Sequence, residues 1–477
     1  MGLIHHQQLN LWLNLFNNLL SPNAIAVIGA SPDRSKIGNA VLENLVNQGF
    51  LGKIYPINPS YEEILGLKCY ADISSVPGKV DLAVIALPAR LASSVLQECV
   101  QRDVEFVIIV AGGFSELGEE GKKLEDSLKE NLKGTKTRLI GPNTVGVLFP
   151  HSKVNTALTP GERIWFPGEG QIGFISQSGA LGLLVMDSLA ENGTGISGFV
   201  NIGNRADIDE DDLMEMFLEH DETKSIVAYL ESISNGDKFF RTIKHVNMKK
   251  PVTILKTGRT REASAAASFH TGALATDDRV LDGILRQVGV VRAYSEVELL
   301  DFGRALAYAR PLEGKRIAVL TTAGGVGVLT TDLLTSEDYR PALSMARFNQ
   351  EEISQLKQHA LPIASLNNPI DLTADGSTQS YASILEILVE SENVDGIITY
   401  ALPQTPKIDT SVIGPIAEAS SKKTVVVGVI GNRLTGKLMV EFERARIPAY
   451  PSVQRTVSAM KALYMRNIYL GRLLNDH

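Results

Sequence analysis

Short apolar runs, rich in β-branched residues and almost unbroken, alternate with amphipathic stretches along the chain. Between residues 21 and 150 the runs are AIAVIGA (24–30), KIYPIN (53–58), LAVIAL (82–87), EFVIIVA (105–111) and TRLIG (137–141). Helical patterns such as IGNAVLENLVNQG lie between them. A half-exposed strand would alternate apolar and polar positions, whereas an unbroken run is expected where helices cover both faces of a parallel sheet. The pattern predicts a doubly wound, Rossmann-like α/β domain over 1–150.

Further along, the pattern repeats. GQIGFISQSGALGLLVMDSL (170–189) and KRIAVLTTAGGVGVLTTDLL (315–334) both read as strand, small-residue turn and apolar helix. KSIVAYLES (224–232) parallels VDGIITYAL (394–402), and PVTILKTG (251–258) parallels TVVVGVIG (424–431). Three matches in one order predict a duplicated α/β domain over 151–309 and 310–477, with RPLEG (310–314) as linker. The copies differ in chemistry. Glu231 and His270 lie in the first; the corresponding region of the second has Leu402 and the loop GNRLTG. Both copies can fold without an acid and a histidine there, so the pair reads as chemistry added to one copy.

Length agrees with this division, since 477 residues suggest about three domains of ~150 residues each. The apolar stretch LNLWLNLFNNLL (9–20) is interrupted by four asparagines and is too short and too polar to span a bilayer. It also lacks the basic start and small-residue cleavage site of a signal peptide. It reads as a helix lying on a domain. Hydrophobic content of 44% and charged content of 21% are ordinary globular usage. A net charge of −8 argues against a broad nucleic-acid footprint. Cys69 and Cys99 are the two cysteines, and neither belongs to a zinc-type cluster. The expectation is a cytoplasmic protein with no membrane or nucleic-acid partner and no metal of its own.

The first strand–helix turn is GASPDRSKIG (29–38). A dinucleotide fingerprint places glycines where Ser31 and Arg34 stand, and favours an acid after the second strand, where this chain has Asn58 and Pro59. A nicotinamide cofactor is therefore disfavoured. A helix start with Arg34 and Lys36 beside it suits another phosphate-bearing ligand; the alternative is a solvated surface loop. In LIGPNTVGV (139–147), Asn143 either presents an amide at the strand ends or merely shapes a domain junction.

FISQSGALG (174–182) joins a strand to a helix through Ser176, Gln177, Ser178 and Gly179. Backbone N–H groups, hydroxyls and a helix N-terminus there suit a phosphoryl group, or serve only as an N-cap. The serine-hydrolase elbow does not fit, because Ser176 stands where that motif needs glycine. Glu231 ends the run IVAYL, and His270 follows the strand PVTIL across a loop of small residues. A carboxylate bonded to one ring nitrogen fixes the tautomer and leaves the other nitrogen as a nucleophile. The alternative is a loop histidine that caps or is solvated. His5, His6, His151, His220, His245, His359 and His477 carry no comparable setting.

Taken in order, VIGAS (27–31) with KIG (36–38), PINP (56–59), GGFSE (112–116), GPN (141–143), SQSGALG (176–182), YLE (229–231), LKTGRT (255–260) and HTGALA (270–275) form a specific set. Over nearly the whole chain it resembles the α subunit of ADP-forming acyl-CoA synthetases (acetate–CoA ligase, ADP-forming), relatives of succinyl-CoA synthetase. The resemblance implies a CoA-binding domain followed by two flavodoxin-like domains, the last mainly structural. It implies that Gly29, Ser31, Lys36 and Asn58 lie along the CoA path and that Asn143 lies near the thiol and acyl group. His270 matches the transiently phosphorylated histidine, Glu231 its supporting acid, and Ser176, Gln177, Ser178 and Gly179 the phosphate cradle. The implied reaction is acyl-CoA + phosphate + ADP ⇌ carboxylate + CoA + ATP, through an acyl phosphate and then phosphohistidine. Neither an ATP-grasp pattern nor a P-loop is found in the chain. The resemblance therefore implies a partner ATP-grasp β subunit holding ADP or ATP with Mg, in an α2β2 heterotetramer, with the His270 loop swinging between sites. Phe269 stands where a small polar residue is expected, and GPNT resembles the succinyl-type turn, so the acyl group is left open. The alternatives are a CoA-binding scaffold without chemistry and, from the fold alone, a nicotinamide oxidoreductase.

Overall fold

A computed structural model describes residues 16–263, 278–337, 341–431 and 433–475. They divide into two compact units. One comprises the described residues up to Glu191, Gly195–Lys250, and the described residues from Ile254 to Asp282; the other comprises Asn192–Thr194, Pro251–Thr253 and the described residues from Gly283 onward.

The first unit opens with five parallel strands: β1 (Ala24–Ile28), β2 (Lys53–Ile57), β3 (Leu82–Ile85), β4 (Phe106–Ile109) and β5 (Arg138–Ile140), in the spatial order β2-β1-β3-β4-β5. Each falls on one of the apolar runs. β1, β3 and β4 are buried throughout, as strands covered on both faces must be. Helices α1 (Ile37–Asn47), α2 (Ala89–Gln101) and α3 (Glu119–Leu132) connect them. Ala26, Ile85, Val107, Leu96, Phe114 and Leu128 belong to one continuous core on this sheet.

A second sheet contains β6 (Val147–Phe149), β7 (Val154–Asn155), β8 (Glu169–Ser176), β9 (Ile196–Asn201), β10 (Ser225–Leu230) and β11 (Val252–Lys256), all in this unit except the first two residues of β11. Their order is β11-β10-β8-β9-β6-β7. β6 runs antiparallel to both β9 and β7, while β8 is parallel to β9 and β10. Helices α4 (Gly179–Glu191), α5 (Glu210–Glu219) and α6 (Gly236–Lys249) lie in its connections. The Asp209 and Asn235 side chains accept backbone N–H groups at the starts of α5 and α6, which fixes where those helices begin. The turn after β5 thus leads directly into the second sheet at β6.

In the second unit, β12 (Arg316–Thr321), β13 (Ser344–Met345), β14 (Ile370–Asp371), β15 (Gly396–Tyr400), β16 (Thr424–Gly428) and β17 (Ala449–Tyr450) form a third sheet. Its order is β13-β12-β15-β16-β17, with β14 also on β12. The order β9-β8-β10-β11 corresponds to β13-β12-β15-β16, so all three sequence matches fall on equivalent strands. Register extends the correspondence to single residues. Phe174 lies opposite Val227 and Val319 opposite Ile398. With Ser176 set on Thr321, Glu231 falls on Leu402. The acid is thus absent from the second copy at the equivalent position.

Among the described residues, no helix is long and apolar enough to cross a membrane.

Candidate active site

At the first turn the chain tightens sharply. Gly29 has φ +87°, and a Cβ on Gly38 would lie 2.0 Å from the Gly29 carbonyl oxygen. Gly38 therefore allows the close helix-to-turn packing that a dinucleotide fingerprint gives to its third glycine. Ser31 Oγ accepts the Asp33 N–H at 3.1 Å. Asp33 accepts both the N–H and the hydroxyl of Ser35, and these bonds hold its carboxyl below the usual range. Asn58, at the end of β2, donates to the Ala30 carbonyl at 2.8 Å and accepts the Ser60 N–H at 3.0 Å. It ties the second strand's loop to the first. Lys36 is exposed at the start of α1 and does not cap it. Ser31, Lys36 and Asn58 accordingly share one rim at the carboxyl ends of β1 and β2. Arg34 is turned to Glu43 and Glu162, each at 3.5 Å.

Asn143 has φ +60°; its N–H reaches the Ala111 carbonyl at 2.9 Å and its Nδ2 reaches Asn204 Oδ1 at 3.3 Å. Asn204 also donates to Glu116 at 2.6 Å. Burial works to raise the Glu116 carboxyl, but bonds from Asn204, Gly113 and Phe114 outweigh it and hold it below the usual range. The turn after β5 is thus welded to the loop after β9. Fully buried Asn201 completes the weld: its Oδ1 accepts the Val145 N–H and its Nδ2 donates to the Ser176 carbonyl, both at 2.8 Å, while its carbonyl accepts the Thr144 hydroxyl.

Ser176 is also fully buried, and its hydroxyl donates to the Ser178 carbonyl at 2.7 Å. Gln177 turns toward β10. Its N–H reaches the Tyr229 carbonyl, its Oε1 accepts the N–H groups of Glu231 (2.6 Å) and Ser232 (2.9 Å), and its Nε2 donates to the Ser232 carbonyl (2.8 Å). Ser178 Oγ accepts the Leu181 N–H at 3.3 Å, and α4 begins at Gly179. Ser176 and Gln177 therefore support the turn from within, while Ser178 and Gly179 form the helix start itself. Glu231 directly follows β10 at its carboxyl end. Burial first, and the neighbouring Glu231 charge next among the raising effects, push the Tyr229 hydroxyl above its ordinary value, against a hydrogen bond with Thr257.

His270, and the loop around it, lie outside the described residues. His151, His220 and His245 engage Gly170, Thr223 and Glu215 respectively, contacts with no connection to the rim just described. Sequence reasoning passed over Asn201, Asn204, Arg205 and Glu210. The signal was NIGNRADIDE (201–210), a polar, glycine-containing stretch at the carboxyl end of an apolar run.

The family model described as a CoA binding domain matches residues 23–150, and that of the succinyl-CoA ligase like flavodoxin domain matches residues 169–306. The chain thus carries a CoA binding domain followed by a succinyl-CoA ligase like flavodoxin domain. The α subunit of acetate–CoA ligase (ADP-forming) I from Pyrococcus furiosus is 36% identical over 456 residues, covering 94% of this chain and 96% of that one. Acetate–CoA ligase (ADP-forming) I of Archaeoglobus fulgidus is 36% identical over 445 residues; the match covers 93% of this chain and 63% of that one. The structure of Ca. Korarchaeum cryptofilum dinucleotide forming acetyl-coenzyme A synthetase 1, in complex with phosphate and ADP, is similar at a TM-score of 0.88 and 34% identity, covering 97% of this chain and 98% of that one. The chain belongs to the family of ADP-forming acetate–CoA ligase α subunits.

Proposed function

We propose that the chain interconverts acyl-CoA + phosphate + ADP with a carboxylic acid + CoA + ATP, together with an ATP-grasp β subunit. One observation carries the reading: Glu231 stands at the carboxyl end of β10, joined by Gln177 to the turn that starts α4. This is the rim on which doubly wound sheets bind ligands. CoA lies along Gly29, Ser31, Lys36 and Asn58, with its thioester toward Asn143. Phosphate sits at the start of α4, held by Ser178 and Gly179 on the support of Ser176 and Gln177. Phosphate oxygen attacks the thioester carbonyl, the C–S bond breaks, and CoA leaves as an acyl phosphate forms. A His270 ring nitrogen then attacks phosphorus, the bond to the acyl oxygen breaks, and the carboxylate leaves. Glu231 holds the other ring nitrogen and offsets the positive charge that develops. The phosphoryl group passes to ADP, held with Mg on the partner, in an α2β2 assembly. The name of the Pyrococcus relative, a subunit alpha, supports such a partner, as does the extra length of the Archaeoglobus relative. The working division is 1–150 for CoA, 151–309 for the phosphohistidine loop, and 310–477 as a supporting domain.

Acetyl-CoA mixed with orthophosphate tests the reading. The chain, purified with any subunit that accompanies it, should release free CoA thiol in a phosphate-dependent way. CoA binding without thiol release would leave a CoA-binding scaffold instead.

A further inference from the structure

Arg205 has φ +59° and follows a loop fixed to the turn after β5. Gly203 (φ +55°) lies so close to that turn that a Cβ would be 2.2 Å from the Pro142 oxygen. The Asn204 and Ala206 N–H groups donate to the Pro142 and Gly141 carbonyls, both at 2.9 Å. From this base the Arg205 guanidinium reaches back to β10. Nη1 donates to both Glu210 oxygens (3.2 and 3.0 Å) and to the Ser232 carbonyl (3.1 Å); Nη2 donates to the Ser232 hydroxyl (2.7 Å). Glu210 also accepts from Gln177 Nε2 at 3.4 Å. The side chains of Arg205 and Glu210 are 14% and 2% exposed. Desolvating such a pair largely cancels its attraction, so its use is better sought in geometry than in stability.

The second copy supports this view. Thr322, at the position of Gln177, bonds Thr405 through its hydroxyl, and Leu402 stands at the position of Glu231. The carboxamide, like the acid, is absent from these equivalent positions of the second copy. We propose that Arg205 is a positioning residue: with Glu210 and Gln177 it clamps the Glu231–Ser232 main chain and so aims the Glu231 carboxylate. This rests on the role proposed for Glu231.

Acetyl [32P]phosphate and amide hydrogen exchange test it on the full-length protein with any co-purifying subunit. Arg205→Gln should slow labelling at least about tenfold, toward the roughly hundredfold loss that a misplacement of about 1 Å can cause. It should also speed exchange at the Glu231 and Ser232 amides about tenfold, while the rest of β10 keeps its protection. Labelling within about twofold of the parent, unchanged exchange at these two amides, or an equal loss of protection along all of β10 would each overturn the clamp. If Arg205→Gln does not fold, Ser232→Ala, which removes one guanidinium contact, is held to the same direction of change in both readouts. Absent label on the parent, or undiminished label on His270→Ala, would instead overturn the phosphohistidine reading, and the clamp with it; those two results are read before any clamp variant.

Discussion

Asn201 spends both ends of its carboxamide on the candidate site, one on Val145 and one on Ser176. Its side chain is fully buried, so truncation leaves a donor and an acceptor with no water to replace the lost partner. Asn201→Ala should cost about 2–4 kcal/mol, read as a lower urea midpoint. A change below about 0.5 kcal/mol would show that the weld between the two turns is not held by this residue. Glu231 was legible because an acid that ends an apolar run lies at a strand's carboxyl end. The orientation of Gln177 was not. SQSG reads equally as a ligand cradle or as a cap, and only the partner 54 residues away shows that its carboxamide faces β10.

At the scale of elements, the start of α5 concentrates four acids, Asp209 to Asp212. Lys238 on α6 bonds Asp209 and Asp212, and Arg138 on β5 bonds Asp212. Asp211 is 2% exposed, and its Oδ1 has no hydrogen-bond partner among the described residues. Burial first, then the charges of Asp209 and Glu210, push its carboxyl up to about 7, against Lys238. A carboxyl raised on folding keeps a proton that the unfolded chain releases, so stability falls as pH rises from about 4 to about 7 and then levels. Asp211→Asn removes that loss. Its stability advantage should grow across this window to on the order of 2 kcal/mol, measured by denaturant titrations at pH 4.5 and 8. An advantage independent of pH would contradict the raised carboxyl. Strands with long apolar runs were readable from the sequence, whereas β6 was not. Three residues carry no period, and its antiparallel place beside β9 depends on the turn welded by Asn201. Gly38 stood in the KIG motif, but its packing role was hidden. It lies nine residues after Gly29, outside the spacing of the dinucleotide fingerprint, yet it meets that turn most closely.

Across the whole molecule, the duplication explains why so much of the architecture was legible. The same strand order is written twice, and each matched apolar run of the two copies is interpretable against its counterpart. It also isolates what the site adds to the fold. Ser176 and Thr321 occupy equivalent strand ends, but the second copy has Thr322 and Leu402 where the first has Gln177 and Glu231. What strand order cannot supply is the ligand. The failed glycine fingerprint argued only against nicotinamide; CoA came from the ordered set of motifs and the matching CoA binding domain. Phosphoryl transfer through His270 is tested by mass-spectrometric mapping of phosphate after acetyl-CoA and orthophosphate are mixed with the protein, under an alkaline quench that preserves phosphohistidine. Phosphate is expected on His270, lost on acidification and absent from His270→Ala. Phosphate on another residue, or turnover with none on His270, would contradict it.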